Sequence, residues 1–304
     1  MVGLIRMKKS LLADRVFNRP LLVAGSKANI IAPFLAEEIL GNNVVVNNFS
    51  DASVNALQKH AGKLGTSEEN SIDKTLEQSV PRTNNGVGLI AIEGTLINKG
   101  GWIGSYSGET TYQGLMRQIA EARADEAIKA VVFEIDSYGG EVAGCSDCGA
   151  AIADLSKEKP TLAICTDHAY SAAYWLASQC NQIIIPASGG VGSIGVISLH
   201  VNYKDWLKKE GLEVSILAAG EHKADGHPYD KLPDAVREEF LAESEIVRNQ
   251  FAQAVADGRG SRFSKKSALA SEAKCFMGEA AVEAGLADLV ARPSEAFANF
   301  VKMF

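Results

Sequence analysis

Three short stretches carry the residue types that acyl-transfer chemistry needs. The first, Asp136-Ser137-Tyr138-Gly139-Gly140, ends an apolar run. Paired glycines there permit positive φ and close backbone approach, and leave N–H groups to face an anion. An oxyanion hole requires such donors, although a tight strand-to-helix turn uses the same residues. The second stretch, Asp167-His168-Ala169-Tyr170-Ser171-Ala172-Ala173, places Ser171 among small residues where a loop meets a helix. Its hydroxyl and the Ala172 amide could face one point, or Ser171 could simply cap the helix. The third is Glu221-His222-Lys223-Ala224-Asp225-Gly226. A lysine is a base only when neutral, which requires desolvation; otherwise Lys223 is a solvated loop residue. His200, 29 residues after Ser171, offers a rival Ser-His base, but no acidic residue occupies a matching place. His168, His222 and His227 are read as shaping their loops.

Positioning these groups calls for strands alternating with helices, the order of a mostly parallel sheet covered by helices. Strands are expected at Val87–Ile92, Ala130–Ile135, Thr161–Cys165, Gln182–Ile185, Val196–Leu199 and Val214–Leu217. Asp167–Tyr170 reads as a loop and Gly189–Gly195 as a glycine-rich turn. Helical spacing runs through 115–122, 141–155 and 172–178, and most of the chain beyond Asp234. Residues 1–61 read as an N-terminal arm or small subdomain, with a Leu21–Ala24 run and helix-like spacing through Ile31, Phe34, Leu35 and Ile39. Residues 62–86 read as a flexible linker, and 87–304 as the main domain.

The 304 residues suffice for a substantial core, and a net charge of −7 excludes the basic face a nucleic-acid partner would need. Neither N-terminal apolar stretch reaches the ~18 residues of a spanning helix. Ser10, Asp14, Arg15 and Arg19 stand where a signal peptide would be apolar, so a cytoplasmic, membrane-free protein is expected. Of five cysteines only Cys145 and Cys148 lie close together. They share a helical stripe with Ile152 and Leu155, which predicts core packing and no metal site.

Taken in order, Asp136-Ser-Tyr-Gly139-Gly140, Ser171-Ala-Ala-Tyr, Gly192-Ser193-Ile194-Gly195-Val196 and Lys223-Ala-Asp-Gly resemble the signal peptide peptidase A (protease IV) superfamily. The likeness is strongest to the head proteases of tailed phages and runs from Arg15-Val-Phe-Asn-Arg-Pro-Leu-Leu22 to Ala284-Gly-Leu-Ala-Asp288. It implies a crotonase/ClpP-like α/β fold and a Ser/Lys dyad in one subunit, with Ser171 as nucleophile and Lys223 as general base. It further implies Ser193 as the residue orienting the lysine, and oxyanion donors from Gly139, Gly140 and Ala172. No cofactor is implied. The expected partners are protein substrates (capsid scaffold, portal and the protease itself) and further copies in a homo-oligomer. A signal-peptide-degrading peptidase and a non-catalytic capsid scaffold component are the alternatives. Tyr138 stands where the family usually has proline, and Ala172-Ala173 where cellular members have Gly-Gly; both departures bear on cleavage specificity.

Overall fold

The computed structural model describes residues 20–25, 80–99 and 108–304. The helix-like spacing over 31–39, the linker as far as residue 79 and the rest of the expected arm lie outside them.

The described strands are β1 (Pro20–Val23), β2 (Val87–Ile97), β3 (Glu109–Thr111), β4 (Ala130–Glu141), β5 (Thr161–Tyr170), β6 (Gln182–Ile185), β7 (Gly190–Gly192), β8 (Ile197–Ser198), β9 (Cys275–Met277) and β10 (Leu289–Val290). The helices are α1 (Tyr112–Ala124), α2 (Cys145–Glu158), α3 (Ala172–Ala177), α4 (Lys204–Lys209), α5 (Asp234–Arg259), α6 (Lys265–Ala270), α7 (Gly278–Glu283) and α8 (Pro293–Val301). β2, β4, β5, β6 and β10 run parallel, while β1 joins β4 and β8 antiparallel and β9 joins β7 antiparallel. This is the expected mostly parallel α/β sheet flanked by helices.

Parallel strands covered on both faces read as continuous apolar runs, and Ala130–Ile135 of β4 is buried throughout. One face packs on α1, α2, α3 and α5 through Leu115, Ile152, Trp175 and Phe251. The other is closed by Phe297 and Phe300 of α8. Thr111 caps α1 by accepting from the Gly114 amide at 3.1 Å. Cys145, Cys148, Ile152 and Leu155 are all buried on α2, as their spacing predicts. Burial pushes the Cys145 thiol up to about 12, so it is a core residue and not a nucleophile.

Three local expectations change. Asp167–Tyr170 continues β5 instead of looping, because Ala169 pairs with Ser137, and His168, Ala169 and Tyr170 pair with β7. The glycine-rich turn contains β7 itself. A Cβ at Gly190 would stand 2.0 Å from the Tyr170 hydroxyl, so glycine permits this close passage. Val214–Leu217 has β-type composition but pairs with no described strand; it lies exposed, Leu217 at 98%. Composition predicts strand character there, but no edge among the described residues pairs with the segment.

One buried tie was not visible in the sequence. Arg259, at the end of α5, is 1% exposed and grips Asp288 with two hydrogen bonds of 2.9 and 2.8 Å, while the Ile183 amide donates to the same carboxylate at 2.7 Å. Burial alone would raise the Asp288 pKa; the Arg259 bonds and charge outweigh it and hold the group below its ordinary value. We expect Arg259→Leu to destabilise the chain by about 1–3 kcal/mol in urea titration, because the partly buried Asp288 loses two charge-assisted hydrogen bonds and keeps only Arg262, at 3.0 Å, and the Ile183 amide. The folded pKa lies below the unfolded one. The stabilisation is therefore full above about pH 4 and is lost as pH falls through the folded value. An unchanged urea midpoint would remove the tie's structural role.

Candidate active site

Ser171 is the hinge between β5 and α3, and its backbone is unusual: φ is 55° and ψ is −122°. Such a conformation costs a non-glycine residue about 1–3 kcal/mol and persists only where the surroundings enforce it. Here the Ser171 amide donates to the Gly192 carbonyl at 2.9 Å, and its own carbonyl accepts from the Trp175 amide at 3.0 Å. The hydroxyl makes no capping bond, which answers the simpler reading of this serine. Its Oγ is buried and has no hydrogen-bond partner among the described residues.

The glycine turn at the end of β4 lies directly against this hinge. Gly139 has φ 97°, and a Cβ there would stand 2.1 Å from the Leu22 carbonyl oxygen and 3.0 Å from both the Ala172 nitrogen and the Ser171 Cβ. Only glycine fits. The Gly139 amide donates to Ser137 Oγ at 3.1 Å, and that hydroxyl donates onward to the Gly94 carbonyl at 2.6 Å. Gly140 is the next residue in the ladder, between Leu22 and Leu96. Ala172 opens α3, so its amide has no intrahelical acceptor.

Ser193 follows β7, whose Gly192 pairs with Tyr170 beside the hinge. It too has positive φ, 56°; its amide donates to the Lys274 carbonyl at 3.1 Å, and its side chain lies near the Cys275 thiol. Lys223 stands apart. It is exposed on a 3-10 turn, Glu221–Ala224, and since Ser171 Oγ has no partner the two are not hydrogen-bonded. The fold thus brings Ser171, Gly139, Ala172 and Ser193 together and leaves Lys223 outside contact with the nucleophile. His200 is not bonded to Ser171 Oγ either. Burial, then the neighbouring His227, lowers its pKa against a smaller opposing bond from the Gly226 backbone.

His222 of this turn, Asp225 just after it and Glu239 of α5 bring ligand-type atoms within 4.8 Å of one another. A 2.8 Å hydrogen bond to Asp225, with the Asp225 and Glu239 charges, holds His222 above the usual histidine range.

Residues 153–302 match the model of Peptidase family S49. Over that stretch the chain is similar to Peptidase family S49. It is 32% identical to the "Head-tail preconnector protein GP5" of Enterobacteria phage P21 over 96% of its own length and 57% of that protein. It is also 32% identical to "Capsid assembly protease C" of Escherichia phage lambda, over 94% of this chain and 64% of the relative. The chain therefore spans about three-fifths of the length of these two relatives. Among solved structures, a ClpP1 mutant from Listeria monocytogenes aligns with a TM-score of 0.41 at 13% identity, covering 68% of this chain and 92% of that one.

Ser171, Ala172, Ser193 and Lys223 fall within the matched S49 stretch, whereas the Gly139-Gly140 turn precedes it. Further groups line the same hinge, in contacts that the sequence analysis did not assign. Ser137 and Cys275 engage Gly139 and Ser193, and three rings gather beside the hinge. Tyr138 meets His168 edge-on at 5.3 Å between ring centroids, and His168 stacks on Tyr170 at 4.9 Å. The period-two spacing of His168 and Tyr170 was the available signal, and reading the segment as a loop concealed it.

Proposed function

We propose that this chain is a serine endopeptidase acting by acyl transfer through a Ser171/Lys223 dyad, within a peptidase domain over 87–304 joined to an arm (1–61) by a linker (62–86). The observation that carries the reading is the strained Ser171 hinge, its unpartnered hydroxyl held against the Gly139 turn and the Ala172 amide. Neutral Lys223 takes the Ser171 proton, and Oγ attacks a peptide carbonyl. The Gly139/Gly140 turn and the Ala172 amide hold the oxyanion, Gly139 exchanging its neutral Ser137 acceptor for a charged one. The C–N bond then breaks, and the leaving amine takes the proton from Lys223. Water, deprotonated by the same lysine, attacks the ester and releases the acid, restoring Ser171. Ser193 orients the lysine, and no cofactor takes part.

Lys223 must lose water to serve as the base. In the single chain its turn is exposed, and so is the apolar run Leu212, Val214, Ile216 and Leu217 that leads to it. We place that run in contacts between copies of a homo-oligomer, whose assembly shields the lysine. The relatives named for capsid assembly and head-tail connection support capsid proteins (scaffold, portal and the protease itself) as the substrates, met in the host cytoplasm or the procapsid. No helix among the described residues is long and apolar enough to cross a membrane. The test is incubation of the purified chain with a degenerate peptide library, read by mass spectrometry. Cleaved products that persist in a metal chelator are expected. An intact library, with the protein folded and oligomeric, overturns the reading.

A further inference from the structure

Strand β1 runs along the Gly139-Gly140 turn, which lies against Ser171. β2 occupies one edge of β4 as far as Gly140, and β5 occupies the other as far as the pair Ser137 and Ala169. β5 ends at Tyr170, and β1 takes over its edge of β4, with Val23 opposite Gly139, Leu22 opposite Gly140 and Leu21 opposite Glu141. On its far side Pro20 and Leu21 pair with Ser198 and Ile197 of β8. The Ala24 amide donates to the Tyr138 carbonyl at 2.9 Å. β1 is therefore a four-residue strand in a slot between β4 and β8, and its carboxyl end points at Ser171.

Both edges of that slot offer main-chain groups to any extended peptide, the way strand addition recognises its ligands. Side chains supply the selectivity. Leu21 and Val23 pack on Ile197, Leu22 turns into the main core, and Ala24 is buried at the end nearest the hinge. Meanwhile Ser171 Oγ is shut away without a partner, although a hydrolytic nucleophile has to meet both substrate and water. We propose that Pro20–Ala24 is an internal occupant of the peptide-binding groove that keeps the resting chain closed. The groove then takes extended peptides of the same pattern: apolar side chains followed by a small residue at the nucleophile. The proposal rests on the peptidase reading for its consequence, but occupancy itself is a matter of binding. Only five register pairs hold the segment, so a competing strand that supplies the same hydrogen bonds displaces it at small net cost.

The test uses the full chain carrying Ser171→Ala, so that binding is read without turnover, and a fluorescent Pro-Leu-Leu-Val-Ala-Gly amide followed by anisotropy. Adding Leu21→Glu with Val23→Glu, two positions at the rim of the slot, should expel β1 and tighten peptide binding at least tenfold, with circular dichroism unchanged. A folded double variant that binds no tighter overturns the proposal. Should that variant fail to fold, Leu21→Cys with Ile197→Cys decides, since these residues face each other across the pair. The cross-linked chain should bind the peptide at least tenfold more weakly than its reduced form, and equal binding overturns the proposal. A chain that binds the peptide in this pattern but cleaves nothing refutes the peptidase reading alone. A chain that cleaves and fails the binding comparison refutes the occupancy alone.

Discussion

Ser171→Ala should lower turnover of a cleaved peptide by at least about 10⁴-fold while leaving the fold at least as stable as before. The first half follows from chemistry, since without Oγ no acyl-enzyme forms and only positioning and the oxyanion donors remain. The second half follows from the structure. Alanine keeps the Cβ, so the strain of φ 55° is unchanged, and the atom removed is a buried hydroxyl oxygen that has no hydrogen-bond partner. Deleting such a group relieves a desolvation penalty of about 1–3 kcal/mol, offset in part by the small void it leaves. A serine serving only as a helix cap would behave in the opposite way, losing about 1 kcal/mol of stability and no activity. Peptide turnover and the urea midpoint, measured on the same preparations, separate the two. A folded Ser171→Ala chain with normal turnover would end the assignment of the nucleophile.

The parts of this site that were legible in the sequence are those governed by local rules. Ala130–Ile135 reads as a buried parallel strand because five of its six residues are apolar and the run stops at the Asp136–Gly140 turn. Gly139 announces a tight approach, and the neighbours that demand it prove to be Leu22, Ser171 and Ala172. The Cys145–Cys148 stripe follows from helical period alone. What was hidden depends on partners distant in sequence. Nothing near Leu21 reveals that its strand pairs with residues more than a hundred positions away, or that it covers the nucleophile. Asp288 belongs to the Ala284–Asp288 motif that helped the resemblance, yet its visible work is structural, in the grip of Arg259. The exposed Val214–Leu217 run shows the same principle in reverse. Its composition predicts a strand, and the described residues of one chain supply no edge to complete it.

Replacing the candidate bases gives the second large effect, and here the structure sharpens the contrast between them. Lys223→Ala should remove nearly all turnover, at least about 10³-fold, whereas His200→Ala should retain most of it. A lysine base is active only when neutral, so the rate of the unaltered protein should rise as pH increases. A histidine base would place the rising limb elsewhere. Burial and the neighbouring His227 hold His200 below the usual histidine value of about 6.5, so a limb set by His200 would be centred on the acid side of that value. Because Lys223 is exposed in the single chain, the comparison belongs at concentrations where light scattering shows the oligomer. Disrupting the exposed run with Leu217→Asp should then lower turnover together with the fraction assembled, since the lysine would regain its water. A dead His200→Ala beside an active Lys223→Ala, with a rising limb below pH 6.5, would replace the dyad by a Ser-His pair and leave Ser171 as the nucleophile of a different machine.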